Sequence, residues 1–441
     1  MEVGNESIDV QVPVFSSTEL LGKLQEKWNG KKKPYPAMYS SVYGGIILDP
    51  EMMVIPIDDH MVHRGHGVFD TAMLLNGYLY ELDVHIDRFL RSASKARISS
   101  PFPRSTIRSI LVQMTAASQC KKGSIRYWLS AGPGDFLLSP AGCPTSAFYA
   151  VVIADNYSQH KEGVKVITST IPMKSPLFAT MKNVNYLPNV FAVMEAEDQG
   201  AFASIWIDDE GYIAEGPNVN VAFISKDKEL LLPAFDKILS GCTAKRLLQL
   251  AEKMVGQGLL KSVSTANLTL EQAKDASEMM YVGSGLPILP IIMWDGQPVG
   301  EGKVGQLTLA LSDLLWDDMV AGPETQSEED EKWWYRNILV GMGGIGNKRG
   351  QGDRFLHFQV NFKSLTRNFS AKEALKDVGY GLELGISTVL LSPTGKPHEA
   401  ALAPSDLLWD DMATGPETQR LCVSYAQEGI LKWKGWNKAS T

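Results

Sequence analysis

The stretch Met181-Lys182-Asn183-Val184-Asn185-Tyr186-Leu187-Pro188-Asn189 sets one lysine among amides and a phenol. On its own such a lysine reads as a solvated surface charge. Schiff-base chemistry, however, needs one lysine whose amine can be neutral, beside groups that hold a cofactor ring. Glu215 stands just before Gly216-Pro217, where a lone carboxylate is ordinarily a turn-edge surface charge. Ser240-Gly241-Cys242-Thr243 leads into an apolar-periodic segment. A helix start of this kind is an ordinary N-cap, yet its free N–H groups and positive dipole end also suit a phosphate. Two patterns carry less. His60-x-x-His63-x-x-His66 spreads its rings around a helix circumference, and Gly65 and Gly67 argue for a loop, so no metal site is expected. Gly341-Met342-Gly343-Gly344-Ile345-Gly346 fits G-x-G-x-x-G after the strand-like 337–340, but residues 347–352 do not read as a helix. No dinucleotide site is expected there.

Regular elements must carry these groups. Segments 68–75 and 78–81 flank Asn76-Gly77, the strongest short hairpin signal, because a type I′ turn needs two positive φ angles. Asp83 then caps a helix whose Ile86, Phe89, Leu90, Ala93 and Ala96 follow a period near 3.6, with Arg88 and Arg91 off the stripe. Strands are expected over 124–130 and 147–153, then an interdomain link, Asp155-Asn156-Tyr157-Ser158, before strand 164–168. Segments 204–208 and 212–215 flank the turn Asp209-Glu210-Gly211, and 219–224 follows as a strand. The helix after Thr243 carries Ala244, Leu247, Leu248, Ala251 and Val255 and stops at Gly256 and Gly258. Thr269 with Gln272 forms a capping box for a helix to about Glu278, and 279–283 reads as a strand. Interleaved helices and strands in both halves predict mixed α/β and α+β architecture, without the regular spacing of a doubly wound sheet.

At 441 residues the chain exceeds what one hydrophobic core serves. Its 44% apolar and 21% charged residues, with mean hydropathy −0.09, are those of a soluble globular protein. A net charge of −8 offers no bulk attraction to nucleic acid or anionic membrane, which favours a small-molecule ligand. Cys120, Cys143, Cys242 and Cys422 show no C-x-x-C spacing, which suggests a reducing compartment. The first thirty residues contain Glu2, Glu6, Asp9 and Glu19 and lack an apolar signal core. A cytoplasmic location is therefore expected, and no apolar run approaches a membrane span.

Gly67-Val68-Phe69-Asp70-Thr71, Asn76-Gly77 and His85-Ile86-Asp87-Arg88-Phe89-Leu90-Arg91-Ser92-Ala93 resemble bacterial D-amino-acid aminotransferases. Lys182 with Asn185, Glu195-Ala196, Glu215-Gly216 with Asn220, and 238–243 follow in that family's order and spacing, so the resemblance spans roughly residues 38–326. It implies the two-domain fold-type IV architecture of the D-amino-acid and branched-chain aminotransferases, with pyridoxal 5′-phosphate as cofactor. By the same resemblance Lys182 is the Schiff-base lysine and the acid/base that moves the substrate proton. Glu215 is the carboxylate under the pyridine nitrogen, and Arg88 is the phosphate arginine. Gly241, Cys242 and Thr243 hold the phosphate at a helix start, and Ser284 with Gly285 completes the cup. Tyr186 and Asn185 meet the ring's phenolic oxygen. The resemblance also implies a homodimer and transamination between an amino acid, the D form favoured, and a 2-oxo acid.

The bacterial enzymes place an Arg and a His in the loop that follows the strand matching 124–130. Here that loop is Ala131-Gly132-Pro133-Gly134-Asp135-Phe136-Leu137-Leu138, without a cation. 4-Amino-4-deoxychorismate lyase, L-branched-chain aminotransferase and a non-catalytic binding protein on the same fold are the alternatives. The expected domains are an N-terminal arm (1–33), a small α+β domain (34–154), a larger α/β cofactor domain (155–326) and a poorly structured C-terminal extension (327–441). The extension repeats the preceding terminus: Ser312-Asp313-Leu314-Leu315-Trp316-Asp317-Asp318-Met319 returns at 405–412, and both copies run on through Gly-Pro-Glu-Thr-Gln. The extension is expected to be dispensable for chemistry.

Overall fold

The computed structural model describes residues 12–31 and 34–321, with the backbone of two strands near the C-terminus. In the arm, α1 (Ser17–Trp28) starts at a capping box in which Ser16 and Glu19 serve each other's backbone N–H. Six strands form an antiparallel sheet: β1 (Ala37–Ser40), β2 (Gly45–Ile47), β3 (Gly67–Leu75), β4 (Tyr78–Leu79), β5 (Gly123–Ser130) and β6 (Ala147–Ala154), in the order β2-β1-β6-β5-β3-β4. The β3–β4 hairpin closes with Leu75 opposite Tyr78, and Asn76 (φ 53°) and Gly77 (φ 88°) both take the positive angles expected.

Between β2 and β3 lies a five-residue helix, α2 (His60–Arg64), capped by the Asp59 carboxylate. The histidine segment is thus half helix, not wholly loop; Gly65, left-handed at φ 65°, ends it. Helices α3 (Leu82–Lys95) and α4 (Arg104–Ser118) cover one face of the sheet, where Ile86, Phe89, Ile107 and Leu111 meet Ile125 and Phe148. Each such burial contributes about 1.5–3 kcal/mol. Two expectations need correcting. Asp83 does not cap α3; the N-cap is Glu81 in the left-handed conformation, and Asp83 instead pairs with Arg104 and Arg108. Arg88 is not off the buried face but belongs to it, 6% exposed, because an acidic partner lies beneath it.

The second sheet is mixed. It contains β7 (Val164–Thr168), β8 (Ala203–Ile205), β9 (Asn220–Ile224), β10 (Glu229–Leu232), β11 (Ser262–Thr265), β12 (Glu278–Val282) and β13 (Leu289–Trp294), in the order β11-β10-β9-β12-β13-β7-β8, with β14 (Gln297–Pro298) beside β13. Helices α5 (Pro176–Ala179) and α6 (Leu187–Asp198) lie between β7 and β8 in sequence. α7 (Cys242–Gly256) and α9 (Gln306–Ala321) pack together over β9, β10 and β12, and Met73, Leu75 and Tyr80 of the first sheet join that core. The helix at Thr269 has its capping box, but as α8 (Leu270–Lys274) it stops short of Glu278. Glu278 begins β12, and its carboxylate accepts from Leu307 N and Thr308 N at the start of α9.

Asp318 on α9 accepts from Arg246 Nε (2.9 Å) and Nη2 (2.5 Å) and from the Tyr80 hydroxyl (2.5 Å). Asp318→Ala leaves a guanidinium and a phenol without their acceptor. It is expected to lower stability by about 2 kcal/mol, read as a lower midpoint in urea.

Residues 328–441 form a separate unit, in which β15 (Arg420–Ala426) pairs antiparallel with β16 (Ile430–Trp436). The glycine motif 341–346 and the repeated segment 405–419 lie outside the described residues, as do the charged stretch Ser327-Glu328-Glu329-Asp330-Glu331-Lys332 and part of the basic cluster Lys31-Lys32-Lys33 that ends the arm.

Candidate active site

β3 is buried on both faces, and its pleat assigns the site's chemistry to two sides. Val68, Ala72 and Leu74 face the α3–α4 core, whereas Met73 and Leu75 face the α7–α9 core. In the same alternation Asp70 meets α3, and Phe69 meets the Lys182 segment.

Asp70 is fully buried, a position a carboxylate occupies only when paired. Arg88 grips it through Nε (2.9 Å) and Nη2 (2.6 Å), and His85 Nδ1 lies 2.9 Å from Oδ1. Burial alone would raise the Asp70 carboxyl; Arg88 and His85 hold it well below the usual range instead. Burial likewise opposes charge on His85, but the Cys242 thiol and Asp70 prevail and hold it up at about 9. The Cys242 thiol is lowered against its own burial by His85 and Arg88. Two of the guanidinium's three nitrogens are therefore directed to Asp70. Nη1 points to the Ser240 carbonyl at 3.4 Å.

That contact brings Arg88 to the start of α7. Gly241 is required there, since a Cβ would stand 1.9 Å from Asn220 Oδ1, and Asn220 in turn donates to the Leu239 carbonyl at 3.0 Å. Thr243 Oγ1 lies 3.3 Å from Ser284 Oγ. The Ser240 hydroxyl is buried without a hydrogen-bond partner. An orphaned hydroxyl, a guanidinium and the open end of a 15-residue helix make a donor set that a phosphate would complete.

The Lys182 segment is tied to β3 by backbone: Phe69 N donates to the Lys182 carbonyl (2.8 Å) and Val184 N to the Gly67 carbonyl (3.1 Å). Lys182 N donates to Ser92 Oγ on α3 at 3.1 Å. Its amine rests 4.8 Å from the Phe69 ring centre and 3.4 Å from the Tyr186 hydroxyl. Burial and the nearby Arg88 charge push it down to about 8. The Tyr186 phenol is pushed up to about 12 by burial. Glu215 is buried, accepts one hydrogen bond from Leu239 N at 3.3 Å, and is pushed up to about 8 by that burial. A carboxylate so sparsely solvated keeps its charge best beside a cation, and the protonated ring nitrogen of pyridoxal phosphate is one. Nucleophilic amine, ring-side carboxylate and phosphate cup all fit that cofactor.

The structure thus gathers Lys182, Tyr186, Glu215, Arg88, Gly241, Cys242, Thr243 and Ser284 around the junction of the two sheets. The Asn185 side chain is exposed and donates to the Gly65 carbonyl at 3.3 Å, holding the loop after α2. Glu195 receives the Thr170 N–H and the Ser169 hydroxyl and anchors a loop. Asp70, His85, Lys174 and Arg126 were not singled out from sequence. Asp70 could have been, as a carboxylate inside an apolar strand. Lys174 Nζ stands 4.5 Å from the Tyr186 ring centre, and the Arg126 guanidinium 5.6 Å from that of Phe69. The His60 ring centre lies 5.2 Å from that of His63 and 5.3 Å from that of His66. Among the described residues, however, no cluster of side chains has the arrangement to hold a metal ion.

The model of the family "Amino-transferase class IV" matches residues 67–294. A D-amino-acid transaminase, chloroplastic, from Arabidopsis thaliana is 58% identical over 313 residues, covering 71% of this chain and 83% of that protein. A D-alanine aminotransferase from Bacillus licheniformis is 26% identical over 282 residues, covering 64% and 97%. Among solved structures, a branched-chain aminotransferase from Thermobaculum terrenum in its PLP form superposes with a TM-score of 0.60 at 20% identity, covering 66% of this chain and 95% of that one, which shows a shared fold. The chain belongs to the class IV aminotransferases, pyridoxal-phosphate enzymes of fold type IV.

Proposed function

We propose that the amino donor is a D-amino acid, the acceptor a 2-oxo acid, and Lys182 the residue that carries the cofactor and moves the proton. The observation that carries this reading is the Lys182 amine itself, set against Phe69 and Tyr186 and held at about 8, so that both protonation states are accessible near neutrality. The cofactor, when bound, supplies a sink for the electron pair left at the substrate Cα. Lys182 would take or return the Cα proton. Glu215 would keep the ring nitrogen of the bound cofactor protonated, and Tyr186 would hold its phenolic oxygen. Arg88, braced by Asp70, would bind the phosphate together with Thr243, Ser284 and the N–H groups of Gly241 and Cys242.

The D preference rests on the 58%-identical relative named for D-amino acids. The apolar Phe136-Leu137-Leu138, all exposed, favour a second reading as an L-branched-chain enzyme. A paired assay separates the two: transfer from D-alanine to 2-oxoglutarate, or from D-methionine to pyruvate, is expected to exceed that from the L forms by roughly tenfold or more. Preference for L-leucine would overturn the D reading. Release of pyruvate from aminodeoxychorismate without an acceptor would indicate a lyase, and a colourless protein a binding role.

The working form is a homodimer in this reading, because Leu177, Phe178, Leu187, Val190, Phe191 and Met194 leave apolar side chains exposed on and around α5 and α6. Sedimentation at a monomer's mass would contradict it. The free thiols of Cys120, Cys143 and Cys242 fit a reducing, cytoplasmic site of action. Fractionation decides between this and the plastid named for the Arabidopsis thaliana relative. No helix among the described residues is long and apolar enough to cross a membrane.

A further inference from the structure

We propose that Lys174 is the cation that receives the substrate carboxylate, supplying the charge that the 131–138 loop lacks. An amino acid carries its carboxylate on the carbon that bears the amine, so the receiving cation must stand close to Lys182 and be free of internal partners.

Besides Lys182, three Lys or Arg side chains act on the site. The Arg88 guanidinium is gripped by Asp70 through two nitrogens. The Arg126 side chain is exposed, donates from Nε to the Thr71 hydroxyl at 3.0 Å and covers the Phe69 ring. Lys174, just ahead of α5, is half-buried, and its Nζ stands 4.5 Å from the centre of the Tyr186 ring whose hydroxyl meets Lys182. One tyrosine is therefore a neighbour of both amines. The ring attracts the ammonium without neutralising it. Among the described residues Lys174 Nζ has neither an ion pair nor a hydrogen bond, whereas Lys237, Lys261 and Lys274 each hold a carboxylate. Burial draws the Lys174 amine below its ordinary value, with Tyr186 and Glu215 opposing and Lys182 adding to the fall. A partly desolvated ammonium without a counter-ion gains from an arriving anion, because the cost of leaving water has already been met. The substrate carboxylate is the anion that the reaction brings.

The inference rests on Lys182 being the reacting lysine, and the test keeps the two apart. Holoenzyme carrying Lys174→Met or Lys174→Arg is mixed with D-alanine or with ethylamine, and each half-reaction is followed by the change in cofactor absorbance. Inhibition by propanoate, a carboxylate without the amine, is measured alongside. For Lys174→Met we expect the D-alanine to ethylamine rate ratio to fall on the order of 100-fold, with a higher KM for D-alanine and weaker propanoate inhibition. Lys174→Arg should restore part of each. An unchanged ratio, or loss of bound cofactor from Lys174→Met, would overturn the proposal. So would the same ratio loss in Arg126→Met with Lys174→Met unaffected. Borohydride trapping of wild-type cofactor on a lysine other than Lys182 would instead remove the reading beneath it.

Discussion

Lys182→Ala is expected to abolish both the cofactor's covalent attachment and measurable transamination. Loss of the proton-moving group alone costs roughly 10²–10⁴-fold. Here the same residue also forms the bond to the cofactor, so the two losses compound. The amine has no obvious substitute: Lys174 meets only the ring face of Tyr186, whereas Lys182 meets its hydroxyl. Borohydride reduction followed by peptide mapping should mark Lys182 in the wild type and nothing in the variant. A label on another lysine would sink the assignment. The amine titrates at about 8 and attacks only when neutral, so attachment of added cofactor should accelerate as pH rises through that value.

Glu215→Gln is expected to retain cofactor while slowing proton loss from the substrate by on the order of 100-fold, the scale of removing one preorganised electrostatic partner. Full activity would show that another group supports the ring nitrogen. The cofactor-free protein offers a second measurement. Folding moves this carboxyl from its ordinary 4.5 up to about 8. Between those values the folded chain keeps a proton that the unfolded chain has released. Stability of the cofactor-free form should therefore fall as pH rises across that window, and Glu215→Gln should flatten the dependence.

Much of the fold was legible because local chemistry forces it. Asn76-Gly77 could only be a two-residue hairpin turn, and the Thr269–Gln272 pair closed its box where the spacing placed it. Lys182, Glu215 and the start of α7 were legible through family order, although nothing in their own spacing requires them to meet. The inward Arg88 was not, because a periodicity read from apolar residues sends every charge to solvent. It cannot see that Asp70, eighteen positions earlier, is waiting in the core. The end of α8 was misplaced for a similar reason: Glu278 is needed by the start of α9, a long-range demand that overrides local helix signals. Lys174 was illegible because its meeting with the Tyr186 ring depends on how the chain between them folds, which no local periodicity reports.

The backbone bonds between β3 and the Lys182 segment have a further consequence. In the sheet order, the first half of β3 has β5 on one side, while β4 reaches only Leu74 and Leu75 on the other. Residues 182–184 shield the start of that edge, through the Val68–Asn183 bridge and its flanking bonds. An uncovered edge of buried, apolar strand is a template for pairing with other chains. The loop that bears the reactive amine thus doubles as a guard against aggregation. Val184→Pro, which removes the N–H given to Gly67, should raise the insoluble fraction, and an unchanged soluble yield would contradict this guarding role.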